Sequence, residues 1–174
     1  EASGRDLRQF MRWYNQAGTP TLRISQHYDS AAKTLRLDFE QSIPPTPGQP
    51  VKEPAVIPIL MGIIGRTGKE IQPNQVLVLE TAKGSKTFEN VDELPIVSLL
   101  RGFSAPVRLE FDASSEDLLA LARHDSDPFS RWVLQRLRVD YRTCRQQAGC
   151  PKGDITMSFV PYVVEQTSRG ERSY

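Results

Sequence analysis

The tetrapeptide His124-Asp125-Ser126-Asp127 contains every side-chain type of a serine hydrolase triad. Such a triad would attack a carbonyl group with a serine that a histidine activates and an aspartate orients. The three partners of a triad come from distant segments, because adjacent residues cannot converge their side chains on one bond. We therefore interpret His124 as the end of one helix, where its ring suits the negative end of the dipole, and Asp127 as the N-cap of the next.

A glycine-rich stretch resembles a phosphate-binding loop at first sight, because Gly62, Gly65 and Gly68 precede Lys69. The motif G-x-x-x-x-G-K-[ST] requires a glycine where Ile63 stands and a hydroxyl where Glu70 stands. The carboxylate of Glu70 would also repel a phosphate. The stretch 65–69 is therefore predicted to be a hairpin turn.

Metal chemistry has few candidate ligands in this sequence. A catalytic zinc needs two histidines and a carboxylate on one site, but His27 and His124 fall in different predicted elements and neither belongs to H-E-x-x-H. Cys144 and Cys150 fit either a small disulfide loop or two reduced thiols, and the sequence leaves both open. We expect no metal and no cofactor.

A basic face is predicted along residues 131–145, opposite an apolar side. Interleaved acids and the lack of an aromatic stacking platform argue against nucleic acid, which leaves a solvated face or a docking face for an acidic partner. The predicted interface combines this face with a proline-rich loop and the tail. Its residues are Pro44, Pro45, Pro47, Arg131, Arg138, Arg142, Arg145 and Tyr162.

The elements that must position these residues are mainly strands. The chain has 174 residues, enough for one domain or one domain with an appendage, and its net charge of +1 selects neither nucleic acid nor an anionic membrane. No apolar run approaches the roughly 20 residues that span a bilayer. Residues 1–4 do not read as a signal or transit peptide, so we expect that any targeting segment was removed or never present.

Alternating apolar residues predict a hairpin over 21–41, and the proline-rich stretch 42–58 predicts an extended crossover. Further predicted elements are a helix over 5–16, strands at 56–64, 76–79, 86–88 and 107–111, helices starting at Ser114 and Asp127, and a strand-like run at 155–164. The predicted fold is mainly β: an antiparallel β-sandwich preceded by a short helix and followed by one or two helices and an irregular tail. The predicted units are a helix or linker (1–19), the sandwich (20–112), a helical extension (113–148) and a tail (149–174).

Four strings of the sequence together resemble one family. They are FMRWYNQAGTP (10–20), QSIPPTPGQP (41–50), PIVSLLRGFSAPV (95–107) and HDSDPFSRW (124–132). In this order and spacing, over about residues 8–135, they resemble the region that follows the catalytic domain in bacterial-type aminopeptidase N. The proline-rich string and LRGFSAPV are most similar to cyanobacterial, algal and plant versions.

The resemblance implies a zinc metallopeptidase family that removes N-terminal residues from peptides. Its third domain is a β-sandwich, and a large helical domain follows. The G-x-M-E-N loop, the H-E-x-x-H zinc ligands with their downstream Glu, and the transition-state Tyr belong to the preceding domain, so no catalytic position maps onto this chain. After Trp132 the family continues as a helical array, whereas this chain turns basic and reaches Cys150-Pro151 and a strand-like tail.

These observations predict a chain that is not an enzyme. Our first expectation is an aminopeptidase-N-derived module that serves as a structural or interaction subunit of a larger protein assembly, a peripheral position on a membrane complex included. The phototroph-like strings favour a plastid before a mitochondrion. The alternative is a fragment of an intact zinc aminopeptidase N, in which this domain links the catalytic and helical domains.

Overall fold

Two β-sheets face each other across one hydrophobic core in the computed structural model, which describes residue 4 and residues 6–132. One sheet has four strands in the order β5-β2-β1-β7, and the other has three in the order β4-β3-β6. The strands are β1 (Thr21–Asp29), β2 (Thr34–Ser42), β3 (Ile57–Ile64), β4 (Glu70–Leu79), β5 (Lys83–Phe88), β6 (Ile96–Ser98) and β7 (Arg108–Phe111).

The β1–β2 hairpin follows directly from the alternation of apolar residues. Leu22 and Ile24 on β1 are buried, as are the apolar residues at every second position of β2, which are Leu35, Leu37 and Phe39. The two strands pair antiparallel from Thr21 opposite Ser42 to Asp29 opposite Thr34. Period-two alternation places one set of side chains in the core, so the predicted hairpin is confirmed.

The second sheet is built on β3, whose last residues are buried on both faces. Met61, Gly62 and Ile63 are all buried, because one side of the strand faces the core and the other is covered. Its partner β4 is longer than the predicted 76–79 and passes through Pro73. Proline is tolerated there because β4 is an edge strand, and the pairing shifts register near Ile63.

One strand pair departs from the antiparallel pattern. β7 runs parallel to β1, with Thr21 opposite Arg108 and Ile24 opposite Phe111. The remaining pairs among the named strands are antiparallel, and β6 is a short strand that the sequence pattern did not predict. The predicted β-sandwich is confirmed, with this parallel pair as an addition. The division at residues 19/20, 112/113 and 148/149 stays a prediction.

The helices differ from expectation in length more than in place. α1 covers only Arg12–Asn15, much less than the predicted 5–16, and no side chain caps its N-terminus. α2 covers Ser115–His124 and begins as predicted, since the Ser114 side chain accepts a hydrogen bond from the Asp117 N–H at 3.1 Å. Residues 128–132 form a further helical turn. Within the described part of the chain, no helix has the length and apolar character to cross a membrane.

Candidate functional site

A tight turn between β6 and β7 carries a buried arginine. Leu100, Gly102 and Phe103 adopt left-handed backbone conformations, with φ of 54°, 59° and 57°. Leu100 and Phe103 are not glycines, and such positions cost on the order of 1–3 kcal/mol each, so the surroundings must hold them. Between them stands Arg101, whose side chain is fully buried.

The Arg101 guanidinium contacts four side chains. Nε donates to Ser98 Oγ at 2.9 Å, and Nη1 donates to Asn74 Oδ1 and lies 3.4 Å from Glu70 Oε1. Nη2 lies 2.9 Å from Asp125 Oδ1, an ion-pair distance, although its N–H bonds are not aligned for a hydrogen bond. Ser98 Oγ in turn donates to the second oxygen of Asp125. We name these five residues the arginine junction.

The arginine junction depends on a glycine in the neighbouring strand. A Cβ atom on Gly62 of β3 would overlap Nη1 and Cζ of Arg101. The guanidinium therefore rests directly on the β3 backbone, where only glycine leaves room. The turn after β6 covers the outer side of β3 in this way, which explains why that strand is buried on both faces.

The charges of the junction are balanced inside the protein. Neither Arg101 nor Asp125 has an exposed side chain. Removing either ion from water alone would cost several kcal/mol. Their mutual attraction, the hydrogen bonds that Arg101 donates to Ser98 and Asn74, and the one that Ser98 donates to Asp125 offset this cost. The junction joins β4 and β6 of the sandwich to the segment that follows α2. It can therefore fix the direction in which the chain leaves α2.

A second contact strengthens the same connection. Asp127 Oδ2 accepts hydrogen bonds from the N–H groups of Ser130 at 2.7 Å and Gly102 at 3.2 Å. Partial burial by itself raises the pKa of the Asp127 carboxyl, but these hydrogen bonds outweigh it and hold the pKa below its ordinary value. The predicted N-cap at Asp127 is confirmed, and the cap also reaches the turn after β6.

The tetrapeptide that carries triad residue types forms no triad. His124 ends α2 as predicted, exposed at the surface against Gly68, while Asp125 points inward to Arg101. Ser126 Oγ donates to Glu70 Oε1 at 2.8 Å. Each polar member of the tetrapeptide thus makes its own structural contact.

The glycine-rich stretch forms the predicted turn between β3 and β4. The Gly65 N–H donates to the Lys69 carbonyl at 2.8 Å, and Gly68 has a φ of 85°. Zinc ligands are not assembled: His27 lies on β1 in one sheet, and His124 packs against the turn of the other sheet. In the described part of the chain, no group of three or more His, Cys, Asp or Glu side chains could hold a metal ion.

The proline-rich loop is held by the segment before β1. Trp13 Nε1 donates to the Val56 carbonyl at 2.8 Å, and Arg12 Nη1 donates to the Pro54 carbonyl at 2.8 Å. Gln16 exchanges two hydrogen bonds with the Glu53 backbone, at 2.9 and 2.7 Å. We name Arg12, Trp13 and Gln16 the N-terminal clamp.

Lys52 closes the same loop from its other side. Its Nζ donates to the Ala17 carbonyl at 2.9 Å, to Thr46 Oγ1 at 2.7 Å and to Gln49 Oε1 at 2.6 Å. Gln49 also bridges the segment before β1, since its Nε2 donates to the Asn15 carbonyl at 2.9 Å. These hydrogen bonds hold the proline-rich loop in one conformation. The restricted backbone of its prolines had predicted only an extended crossover.

Four of the eight predicted interface residues lie in the described part of the chain, and four lie outside it. Pro44, Pro45 and Pro47 are exposed, and Arg131 is half-buried with Nη1 donating to the Asp125 carbonyl at 2.9 Å. Arg131 thus contacts the segment that carries the arginine junction. Arg138, Arg142, Arg145 and Tyr162 lie outside the described residues, as do Cys144 and Cys150. The interface role of all eight residues stays a prediction.

The sequence analysis missed Arg101 and Asn74, and it considered Gly62 only as part of a phosphate-binding loop. Arg101 lies inside a string that carries the family resemblance, but nothing in its neighbours along the chain indicates burial. A steric signal existed at Gly62, because a glycine inside a continuous apolar strand often marks a close approach by another group.

The fold and this site define an immunoglobulin-like β-sandwich in which the arginine junction connects the sandwich to a following helical segment. Residues 18–112 match the family described as "Domain of unknown function (DUF3458) Ig-like fold", and the chain belongs to that family. It resembles the β-sandwich domain of aminopeptidase N.

Three curated relatives of this chain are named aminopeptidase N. The chain is 36% identical to the protein of Escherichia coli, 46% identical to that of Caulobacter vibrioides and 40% identical to that of Haemophilus influenzae. The matches cover 87%, 87% and 75% of this chain but only 19%, 18% and 16% of those proteins. The chain thus spans less than a fifth of the length of these relatives.

A solved aminopeptidase structure is also similar to this chain. Legionella pneumophila aminopeptidase A, crystallised in complex with aspartic acid, matches with a TM-score of 0.72 and 29% identity, over 87% of this chain and 17% of that one. A match to 87% of the chain is longer than residues 8–135, so similarity continues beyond residue 135. This corrects part of the expected departure from the family after Trp132.

Proposed function

We propose that this chain is the β-sandwich domain of an aminopeptidase N-type zinc metallopeptidase and that it fixes the relative orientation of the domains on either side. The observation that carries this proposal is the buried pair of Arg101 and Asp125. It joins the sandwich to the segment where, by the family resemblance, the helical domain begins. In this role the chain contributes rigidity, and catalysis belongs to the preceding domain.

This function takes the place of the first expectation, a structural or interaction subunit of a larger protein assembly. That expectation rested on the missing catalytic domain together with a tail unlike the family. The extended similarity to aminopeptidase N supports a family origin for part of the tail region. A recruited subunit stays the second candidate. The exposure of Pro44, Pro45 and Pro47 favours it, because an exposed proline-rich loop offers a docking surface.

The native size of the protein separates the two candidates. An antibody against residues 42–56 should detect, in an extract of the source organism, a polypeptide several times larger than 19.6 kDa. Its transcript should encode H-E-x-x-H upstream and in frame, and the purified polypeptide should show chelator-sensitive aminopeptidase activity. A 19.6 kDa species in a stoichiometric complex, seen by native mass spectrometry, would support the recruited subunit and refute our proposal.

The isolated chain provides the matching control. Incubated with zinc and an aminoacyl chromogenic substrate, it should show no turnover above background. Chelator-sensitive turnover by the 174-residue chain alone would overturn the assignment of catalysis to the preceding domain.

A further inference from the structure

The strand β4 is an open edge of the three-stranded sheet. Among the strands of the described residues it pairs only with β3. Val76 and Val78 on its outer face are 61% and 46% exposed. They lie opposite Leu60 and Pro58 of β3, which are half-buried, so a small apolar patch continues from β3 to the edge. An edge of this kind offers a row of unpaired backbone N–H and C=O groups to another strand.

The other edge strands in the described part of the chain are protected against such pairing. β5 carries Lys83 and Lys86, β6 has three residues, and β7 has four, of which two are charged. Charged side chains and short length are common protections of a sheet edge. β4 has ten residues, and Pro73 protects only its first half. The second half, residues 75–79, contains neither a charge nor a proline.

Residues 75–79 are complementary to a second copy of themselves. In an antiparallel pair centred on Leu77, Val76 of each copy lies directly opposite Val78 of the other. Both valines belong to the outer face, and β-branched side chains pack well against cross-strand neighbours. A shift of two positions in either direction would bring the proline of β4 or the charge of Glu80 into the paired run. Centring on Leu77 therefore gives the register with an uninterrupted run.

The charge and the size of this edge fit a second copy. The net charge of the chain is only +1, so two copies repel each other weakly, and an uncharged edge does not attract a charged partner. One strand pair with its apolar patch is small compared with the roughly 1,200–2,000 Å² that a stable interface buries. We therefore expect a weak dimer, with a dissociation constant between about 1 μM and 1 mM.

We propose that two copies of this chain associate through β4, antiparallel and centred on Leu77, to form one continuous six-stranded sheet. The strand order across the dimer is β6-β3-β4-β4-β3-β6, and the two-fold axis passes through Leu77. The inference goes beyond the proposed function, because the size of the endogenous polypeptide does not decide whether this edge pairs.

Two charged double variants of the 174-residue chain test the pairing and its register. Val76→Lys with Val78→Lys places like charges opposite each other at two positions, and it should weaken dimerisation on the order of tenfold or more. Val76→Lys with Val78→Glu removes the same apolar side chains but places opposite charges face to face, so it should recover most of that loss. Val51→Lys, at a position 82% exposed and outside the sheets, should dimerise like the unsubstituted chain.

Sedimentation equilibrium from about 10 μM to about 1 mM chain measures the four dissociation constants. A reductant prevents disulfides between copies at Cys144 and Cys150. Hydrogen exchange gives a second readout without substitution. The amides of residues 75–79 should exchange several-fold more slowly at the highest concentration than at the lowest, while those of β5 stay unchanged.

Four results would overturn the inference. A chain that stays monomeric at about 1 mM would refute it, and so would a dimer that the double lysine variant leaves unchanged. Equal dissociation constants for the two charged variants would refute the register centred on Leu77. Slow exchange of every amide from 75 to 79 in the dilute monomer would show that another segment of the same chain covers this edge.

Discussion

Arg101 and Asp125 form an ion pair with 2.9 Å between Nη2 and Oδ1, and neither side chain is exposed. The arginine belongs to the turn after β6 and the aspartate to the segment after α2. The pair therefore joins two segments that are not neighbours in the sequence. Its main energetic consequence is that replacing only one of the two residues leaves the other charge buried without a counter-ion.

Replacing Arg101 with methionine should destabilise the protein by about 3–5 kcal/mol, because Asp125 then stays buried without its counter-ion. The double variant Arg101→Met with Asp125→Leu should recover most of that loss. Urea unfolding at neutral pH measures both. Arg36→Met is the matched control: Arg36 pairs with Asp38 on an exposed strand face, and its loss should cost less than about 1 kcal/mol. Equal losses for Arg101→Met and Arg36→Met would contradict the arginine junction.

Gly62→Ala should cost about 1–3 kcal/mol, because the added methyl group meets a guanidinium that cannot move away. The same substitution in the Arg101→Met, Asp125→Leu background should cost much less, and the double-mutant cycle measures the difference. Gly84→Ala serves as the control, since its Cβ meets only the terminal methyl group of Leu79 at 2.9 Å. Identical costs of Gly62→Ala in both backgrounds would show that Arg101 is not the obstacle.

The Asp127 carboxylate should make the free energy of unfolding decrease at acidic pH. Its folded pKa lies below the ordinary value of 3.8, so its contribution is complete above that pH and is lost as the pH falls through the lower folded value. Asp127→Ala should cost about 1 kcal/mol at pH 7 through the lost N-cap. Asp127→Ser keeps an acceptor that does not titrate, so it should retain much of the stability while flattening the acid dependence. Thermal unfolding from pH 2 to pH 7 is the measurement, and an unchanged acid profile in Asp127→Ser would refute this assignment.

Gln16→Ala should loosen the proline-rich loop. The substitution removes both hydrogen bonds to the Glu53 backbone, each worth roughly 1 kcal/mol. Limited trypsin digestion should then cut faster after Lys52, and the free energy of unfolding should fall by at most about 2 kcal/mol. Gln26→Ala, at an exposed position on β1, is the matched control and should leave cleavage at Lys52 unchanged. The clamp would be refuted if the two variants were cut at the same rate as the unsubstituted chain.

The fold could be predicted where short-range pattern decides structure. Alternation fixes the β1–β2 hairpin, and the Ser114 cap fixes the start of α2. The three-residue strand β6 escaped prediction because it is defined only by pairing with distant β3. The burial of Arg101 could not be predicted for the same reason. Its four partners come from separate positions in the sequence, and only their contacts allow the guanidinium charge to leave water.

The apolar residues before β1 illustrate a different limit. Spacing predicted a helix over 5–16, and the apolar side chains of Phe10, Met11 and Tyr14 in this segment are exposed. Spacing could not show that polar side chains of the same segment would bind the sandwich instead. Periodicity identifies which residues share a side, and only tertiary contacts decide which side turns inward.

The parallel pairing of β1 with β7 has a mechanical consequence. The chain enters the sandwich at Thr21 and leaves it at Phe111, and these two strands run side by side in the same direction. A pulling force applied through the flanking segments would slide β7 along β1. Because the force pulls β1 at its first residue and β7 at its last, it acts along the strands. The hydrogen bonds between the two strands would therefore bear the load together instead of opening one by one. The strand pair that joins the two ends of the sandwich is thereby arranged to resist stretching.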